Sequence, residues 1–178
     1  MQDEGIEFLT NYIKENNVKK ILEIGSAVGY SSIKMALINS SIKIDTIERD
    51  KIRYDEAIEN INKMNLNDQI NCIYADALEL DIKEQYDLIF IDAAKCQNIK
   101  FFDKYIKNLK KDGTIIVDNI FFHGVIYEDD KNLSRNVRGI KRKILGFIEY
   151  IKSLENYKYE IKSLGDGIMI IRNRWENA

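Results

Sequence analysis

The chain has 178 residues, with 27 lysines and arginines against 29 aspartates and glutamates. That length, with 45% hydrophobic and 31% charged residues, suits a globular fold and excludes a disordered or fibrous polymer. The acidic start MQDEGIEF, the lack of any apolar run near the ~20 residues of a membrane span, and two cysteines without a CxxC or histidine cluster argue against a secretion signal, an anchor, a disulfide scaffold and a zinc site, so a cytoplasmic protein without membrane contact is expected.

No linker, repeat or low-complexity tract interrupts residues 1–178, which read as one domain. Residues 3–16 predict a helix, with Ile6, Leu9 and Ile13 three and four apart. KKILEIG (19–25) predicts a buried strand ending in glycine, and 29–39 a helix. A second strand follows over 42–48, then a charged helix over 50–64 with Ile58 and Ile61 inward. Strands are expected at 70–76 and 86–92, a helix over about 97–110, and a fifth strand at 113–119. A helix over about 133–154 carries Val137, Ile140, Ile144, Ile148 and Ile151 at helical spacing. Two last strands meet at Gly165-Asp166-Gly167 as an antiparallel hairpin. Alternating apolar strands and helices predict an α/β fold: a seven-stranded, doubly wound, mostly parallel sheet ending in that hairpin.

Glu23-Ile24-Gly25-Ser26-Ala27-Val28-Gly29 lies between the first strand and the next helix. Glycines there let backbone approach a ligand, and the helix start offers free N–H groups. Neither GxGxxG nor GxxxxGK[ST] is present. Glu48 ends the second strand, where a carboxylate can accept from both ribose hydroxyls, and Asp76 ends the third, beside the place of an adenine. Solvation of strand ends is the plain alternative. The arrangement resembles the Rossmann-like S-adenosylmethionine-dependent methyltransferases.

Asp92 closes the fourth strand and Asp118-Asn119 the fifth. Neighbouring strands of a doubly wound sheet deliver their carboxyl ends to one crevice. Two carboxylates and an amide oxygen suit Mg²⁺, with Mn²⁺ or Ca²⁺ as alternatives, and leave positions open for water or substrate. The single histidine, His123, argues against zinc or iron.

With the continuations Asp92-Ala93-Ala94-Lys95-Cys96-Gln97 and Asp118-Asn119-Ile120-Phe121-Phe122-His123-Gly124, the chain resembles the metal-dependent catechol-type O-methyltransferases. The Asp-Ala-Ala-Lys form most resembles bacterial tRNA 5-hydroxyuridine methyltransferases. The resemblance implies metal ligands Asp92, Asp118 and Asn119. It implies cofactor contacts from Met1, Ser31, Glu48, Asp76, Ala77 and Asp92, with Gly25 close by. Lys95 is then the candidate general base. Cys96 and Asn98 stand where relatives usually have glycine and tyrosine, and His123 where they have lysine or arginine. Relatives also carry about one more helix ahead of the position of Met1, which helps cover the site and pair subunits, so a homodimer is an open expectation.

The net charge of −2 hides an asymmetry: from Lys131 to Lys152 seven basic residues face one acid, Glu149, giving +6 there and −8 elsewhere. Arg135, Arg138 and Arg142 share a helical face flanked by Lys141 and Lys143, a stripe that can meet phosphates, although solvated basic helices are common. The expected acceptor is 5-hydroxyuridine in the tRNA anticodon. The alternatives are a catechol-like small phenol and a non-catalytic, cofactor-binding RNA module.

Overall fold

The computed structural model describes residues 2–174. The chain runs α1 (Asp3–Glu15), β1 (Lys20–Ile24), α2 (Tyr30–Ala36), β2 (Lys43–Glu48), α3 (Lys51–Lys63), β3 (Ile70–Tyr74), β4 (Tyr86–Ile91), α4 (Asn98–Tyr105), β5 (Leu109–Val117), α5 (Arg135–Ser153), β6 (Tyr157–Lys162) and β7 (Ile168–Asn173). The seven strands form one sheet in the order β3-β2-β1-β4-β5-β7-β6. β1 to β5 pair in parallel, whereas β7 runs antiparallel to both β5 and β6. This is the expected Rossmann-like architecture.

Strand periodicity divides the core. In β4, Leu88 and Phe90 point to one side with Leu9, Ile13 and Met35 of the helices α1 and α2. Ile89 and Ile91 point to the other, with Phe101, Phe102 and Tyr105 of α4 and Phe147 and Ile151 of α5. Local chemistry sets the helix starts. Asp50 caps α3 by accepting from the Ile52 and Arg53 N–H groups, both at 3.0 Å, and Ser134 caps α5 by accepting from Val137 N–H at 3.3 Å.

The structure differs from periodicity in two places. The helix expected over 97–110 is instead a 3-10 turn at Lys95–Gln97, α4, and a second 3-10 turn at Ile106–Asn108; β5 begins at Leu109. The buried Asn108 explains the early stop, because its amide donates to the carbonyls of Ile82 and Glu84, which tie it to the chain entering β4. The β4–β5 register shifts between Tyr86 and Leu88, so Lys110–Gly113 adds residues that β4 does not match. On α5 the fully buried positions are Ile144, Phe147 and Ile151, with Ile148 half-buried against the same core.

Candidate active site

β1 and β4 are neighbours, yet the chain leaves β1 toward β2 and returns to β4 from the far side. Their carboxyl ends therefore flank the crevice where doubly wound sheets bind ligands. The turn after β1 is tied to β2 by Gly25 N–H and Ser26 N–H donating to the Ile47 carbonyl at 2.9 and 3.2 Å. Gly25 has φ +97°, and a β-carbon there would lie 2.4 Å from the Asp92 carbonyl oxygen. Only glycine permits that approach.

A cavity of about 360 Å³ opens at this point, within the usual range for small-molecule sites. Gly25, Glu48, Asp76, Ala77, Asp92 and Lys95 all line it, as do Arg49, Arg53 and Phe101, which sequence reasoning did not select. Arg49 and Arg53 carried a usable signal, being the cations next to Glu48 and one turn on. Glu48 is 7% exposed. Its Oε2 accepts from Ala27 N–H at 2.8 Å and its Oε1 from Asp50 N–H at 2.9 Å, which fixes the carboxylate and leaves lone pairs for a ligand. Asp76 Oδ1 accepts from Leu78 N–H at 2.8 Å, and Arg49 stands 3.9 Å from its Oδ2.

The Ser31 hydroxyl donates to Glu23 beneath the glycine turn; Ser31, Asp118 and Asn119 are not among the residues that line the cavity. Ser32 and Thr46 donate to the same carboxylate, which is fully buried. Burial pushes the Glu23 carboxyl up, against those three hydroxyls, and the charge of Asp92 adds to the rise. Lys141 has partners within the protein: its ammonium donates to the Glu128 carbonyl at 2.6 Å and to Asp130 at 2.8 Å. Met1 lies outside the described residues.

Asp92 N–H donates to the Ile24 carbonyl and Asp118 N–H to the Ile91 carbonyl, so the ends of β4 and β5 stay in step. The Asn119 amide donates to Asp92 Oδ1 at 2.9 Å and to Asp118 Oδ2 at 3.1 Å, bringing the three predicted ligands together. Asp118 is 5% exposed. Its pKa is pushed up to about 6, first by burial and then by the charge of Asp92, against opposing help from the Asn119 N–H and Lys95. Two crowded carboxylates of this kind are what a divalent cation relieves, and an amide can turn its oxygen to the same point. The donor set fits Mg²⁺ or Mn²⁺.

α5 packs against the Lys95–Gln97 turn and against a 3-10 turn at Val125–Tyr127. Arg135 and Arg142 are exposed and Arg138 is half-buried on that helix. Cys96 is exposed and Asn98 is buried at the start of α4; both cysteines are free. No helix among the described residues is long and apolar enough to cross a membrane.

A sequence profile described as O-methyltransferase matches residues 1–174. A Staphylococcus aureus protein, provisionally assigned as a caffeoyl-CoA O-methyltransferase, superimposes with a TM-score of 0.93 at 35% identity, over 97% of this chain and 84% of that one. An O-methyltransferase from Bacillus cereus, solved with SAH, gives a TM-score of 0.83 at 28% identity, over 97% and 82%. The caffeoyl-CoA O-methyltransferase of Populus kitakamiensis is 27% identical across 96% of this chain and 76% of its own. Fold and site together define a Rossmann-like, S-adenosylmethionine-dependent methyltransferase. Within that class the chain belongs to the O-methyltransferase family, of the caffeoyl-CoA type by its relatives.

Proposed function

We propose that the enzyme methylates the 5-hydroxyl of 5-hydroxyuridine at the wobble position of tRNA, with Mg²⁺ or Mn²⁺ at Asp92, Asp118 and Asn119. The observation that carries this reading is the placement of α5. Its arginines stand on the helix packed against the turn that bears Lys95, so a polynucleotide held there would reach the crevice.

S-adenosylmethionine, when bound, would supply the methyl group, which passes to the acceptor oxygen as the carbon–sulfur bond breaks and its electron pair stays on sulfur. Glu48, already oriented by two backbone N–H groups, would hold the ribose hydroxyls, and Asp76 would stand on the adenine side. Lys95, on the cavity wall, would take up the hydroxyl proton in its neutral amine form. Asp92, Asp118 and Asn119 would hold the cation, which would supply positive charge to the developing oxygen anion.

Mass spectrometry of tRNA nucleosides from a deletion strain and its parent tests the reading. Accumulated 5-hydroxyuridine with loss of 5-methoxyuridine is expected, and unchanged nucleosides refute it. A small catechol-like phenol is the second reading, favoured by the similarity to the caffeoyl-CoA O-methyltransferase of Populus kitakamiensis. Methylation of such a phenol without methylation of tRNA would decide for it.

A further inference from the structure

The loop after β5 carries left-handed backbone at Asn119 (φ 63°), Phe122 (φ 50°), His123 (φ 53°) and Gly124 (φ 80°). Left-handed geometry is unfavourable for residues with a β-carbon, so three such residues in five positions need outside support. That support comes from a turn more than forty residues downstream. Ile120 N–H donates to the Gly167 carbonyl at 3.0 Å and Phe121 N–H to the Asp166 carbonyl at 2.8 Å. His123 N–H donates to the Asp166 side chain, Oδ1, at 2.6 Å. The Phe121 ring lies flat against Gly167, where a β-carbon would come within 2.6 Å of it.

Asp166 is 5% exposed, and its second oxygen, Oδ2, is buried without a hydrogen-bond partner among the described residues. It lies 3.6 Å from His123 Nδ1. An uncompensated buried carboxylate oxygen is costly and calls for a reason. The turn itself is held in place: Gly165 N–H donates to Glu4 Oε2 of α1 at 3.0 Å, and β7 pairs with β5 up to Met169 opposite Val117.

We infer that Asp166 is a positioning residue, which clamps the 120–123 backbone so that Asn119 stays between Asp92 and Asp118 in the geometry that accepts a divalent cation. The inference rests on the metal reading given above. Asp166 touches neither cofactor nor acceptor in this role and acts through the loop alone.

Titration with Mn²⁺, read by the electron paramagnetic resonance of the free ion, is the test, with cofactor affinity measured calorimetrically beside it. Asp166→Ala should weaken Mn²⁺ binding at least about tenfold and leave S-adenosylmethionine affinity within about twofold. Asp166→Asn keeps an oxygen for the His123 N–H and should stay within about threefold of wild type for Mn²⁺. Wild-type Mn²⁺ affinity in Asp166→Ala overturns the inference, as do equal losses of metal and cofactor or equal impairment of the Asn and Ala variants. Hydrogen exchange of the wild-type protein decides the matter should the Ala variant not fold: Mn²⁺ should slow the amides of 120–123, and unchanged exchange in a protein that binds Mn²⁺ refutes the clamp. Failure of the wild type to bind Mn²⁺ removes the metal reading itself and the clamp with it.

Discussion

Gly25 and Asp92 meet backbone to backbone, with room for a hydrogen at position 25 and none for a methyl group. The glycine turn and the end of β4 thus share one wall of the cavity, and whatever moves one moves the other. Gly25→Ala must either push the Asp92 carbonyl aside or abandon φ +97°. It should destabilise the protein by at least about 1 kcal/mol and lower cofactor affinity more than tenfold. Chemical denaturation and calorimetry check both; an Ala variant with wild-type affinity would disprove the close approach.

Glu48→Ala should cost about 1.5–3 kcal/mol of S-adenosylmethionine affinity, the worth of a hydrogen bond to a charged group. Since Ala27 and Asp50 N–H groups also lose their acceptor, a modest fall in melting temperature should accompany it. Unchanged calorimetric affinity in a folded variant would remove Glu48 from the cofactor site.

Lys95→Met should lower turnover by about 10²–10⁴ while leaving cofactor affinity intact, because the proton acceptor is lost and the cavity's acidic walls are not. Near-normal turnover at neutral pH would exclude Lys95 as the base.

Asp118 gives a pH-dependent stability. Its folded-state pKa, about 6, lies above the ordinary 3.8, so its ionisation opposes folding. The group's favourable contribution is complete below about 3.8 and is lost as pH rises through about 6. In chelator, Asp118→Asn should therefore stabilise the protein at about pH 7.5 by on the order of 2 kcal/mol and do little near pH 3.5. The same variant should lose Mn²⁺ binding. Urea midpoints at the two pH values, wild type against variant, check the sign; a variant destabilised at the higher pH contradicts it.

Reversing Arg135 and Arg138 to glutamate should weaken tRNA methylation strongly and flatten its log–log salt dependence by about 1.5–2, since two phosphate contacts release fewer counterions. Methylation of a neutral phenol, if the enzyme performs it, should be untouched. Lys141→Ala is expected to leave the salt slope alone, because its ammonium already serves Glu128 and Asp130. A double reversal without effect on tRNA would shift the acceptor to a small molecule.

The sequence alone determined the order of strands and helices, the hairpin at the end, and the acidic residues at or just past the ends of the parallel strands. Those follow from periodicity and from the rule that parallel strands deliver their carboxyl ends together, and both are written locally in the chain. The placement of Glu48, Asp76, Asp92, Asp118 and Asn119 at or just past strand ends was therefore legible before any coordinate. Which partner each side chain finds was not. Spacing puts Ser31 and Lys141 on a helix, but only packing turns Ser31 onto Glu23 and draws Lys141 to Asp130. Asp166 looked like part of an ordinary hairpin turn, and the burial of Asn108 that starts β5 four residues early left no periodic trace. A hydrogen bond across some forty residues, such as His123 N–H to Asp166, depends on where the whole sheet places two loops, and that is decided only once the chain has closed on itself.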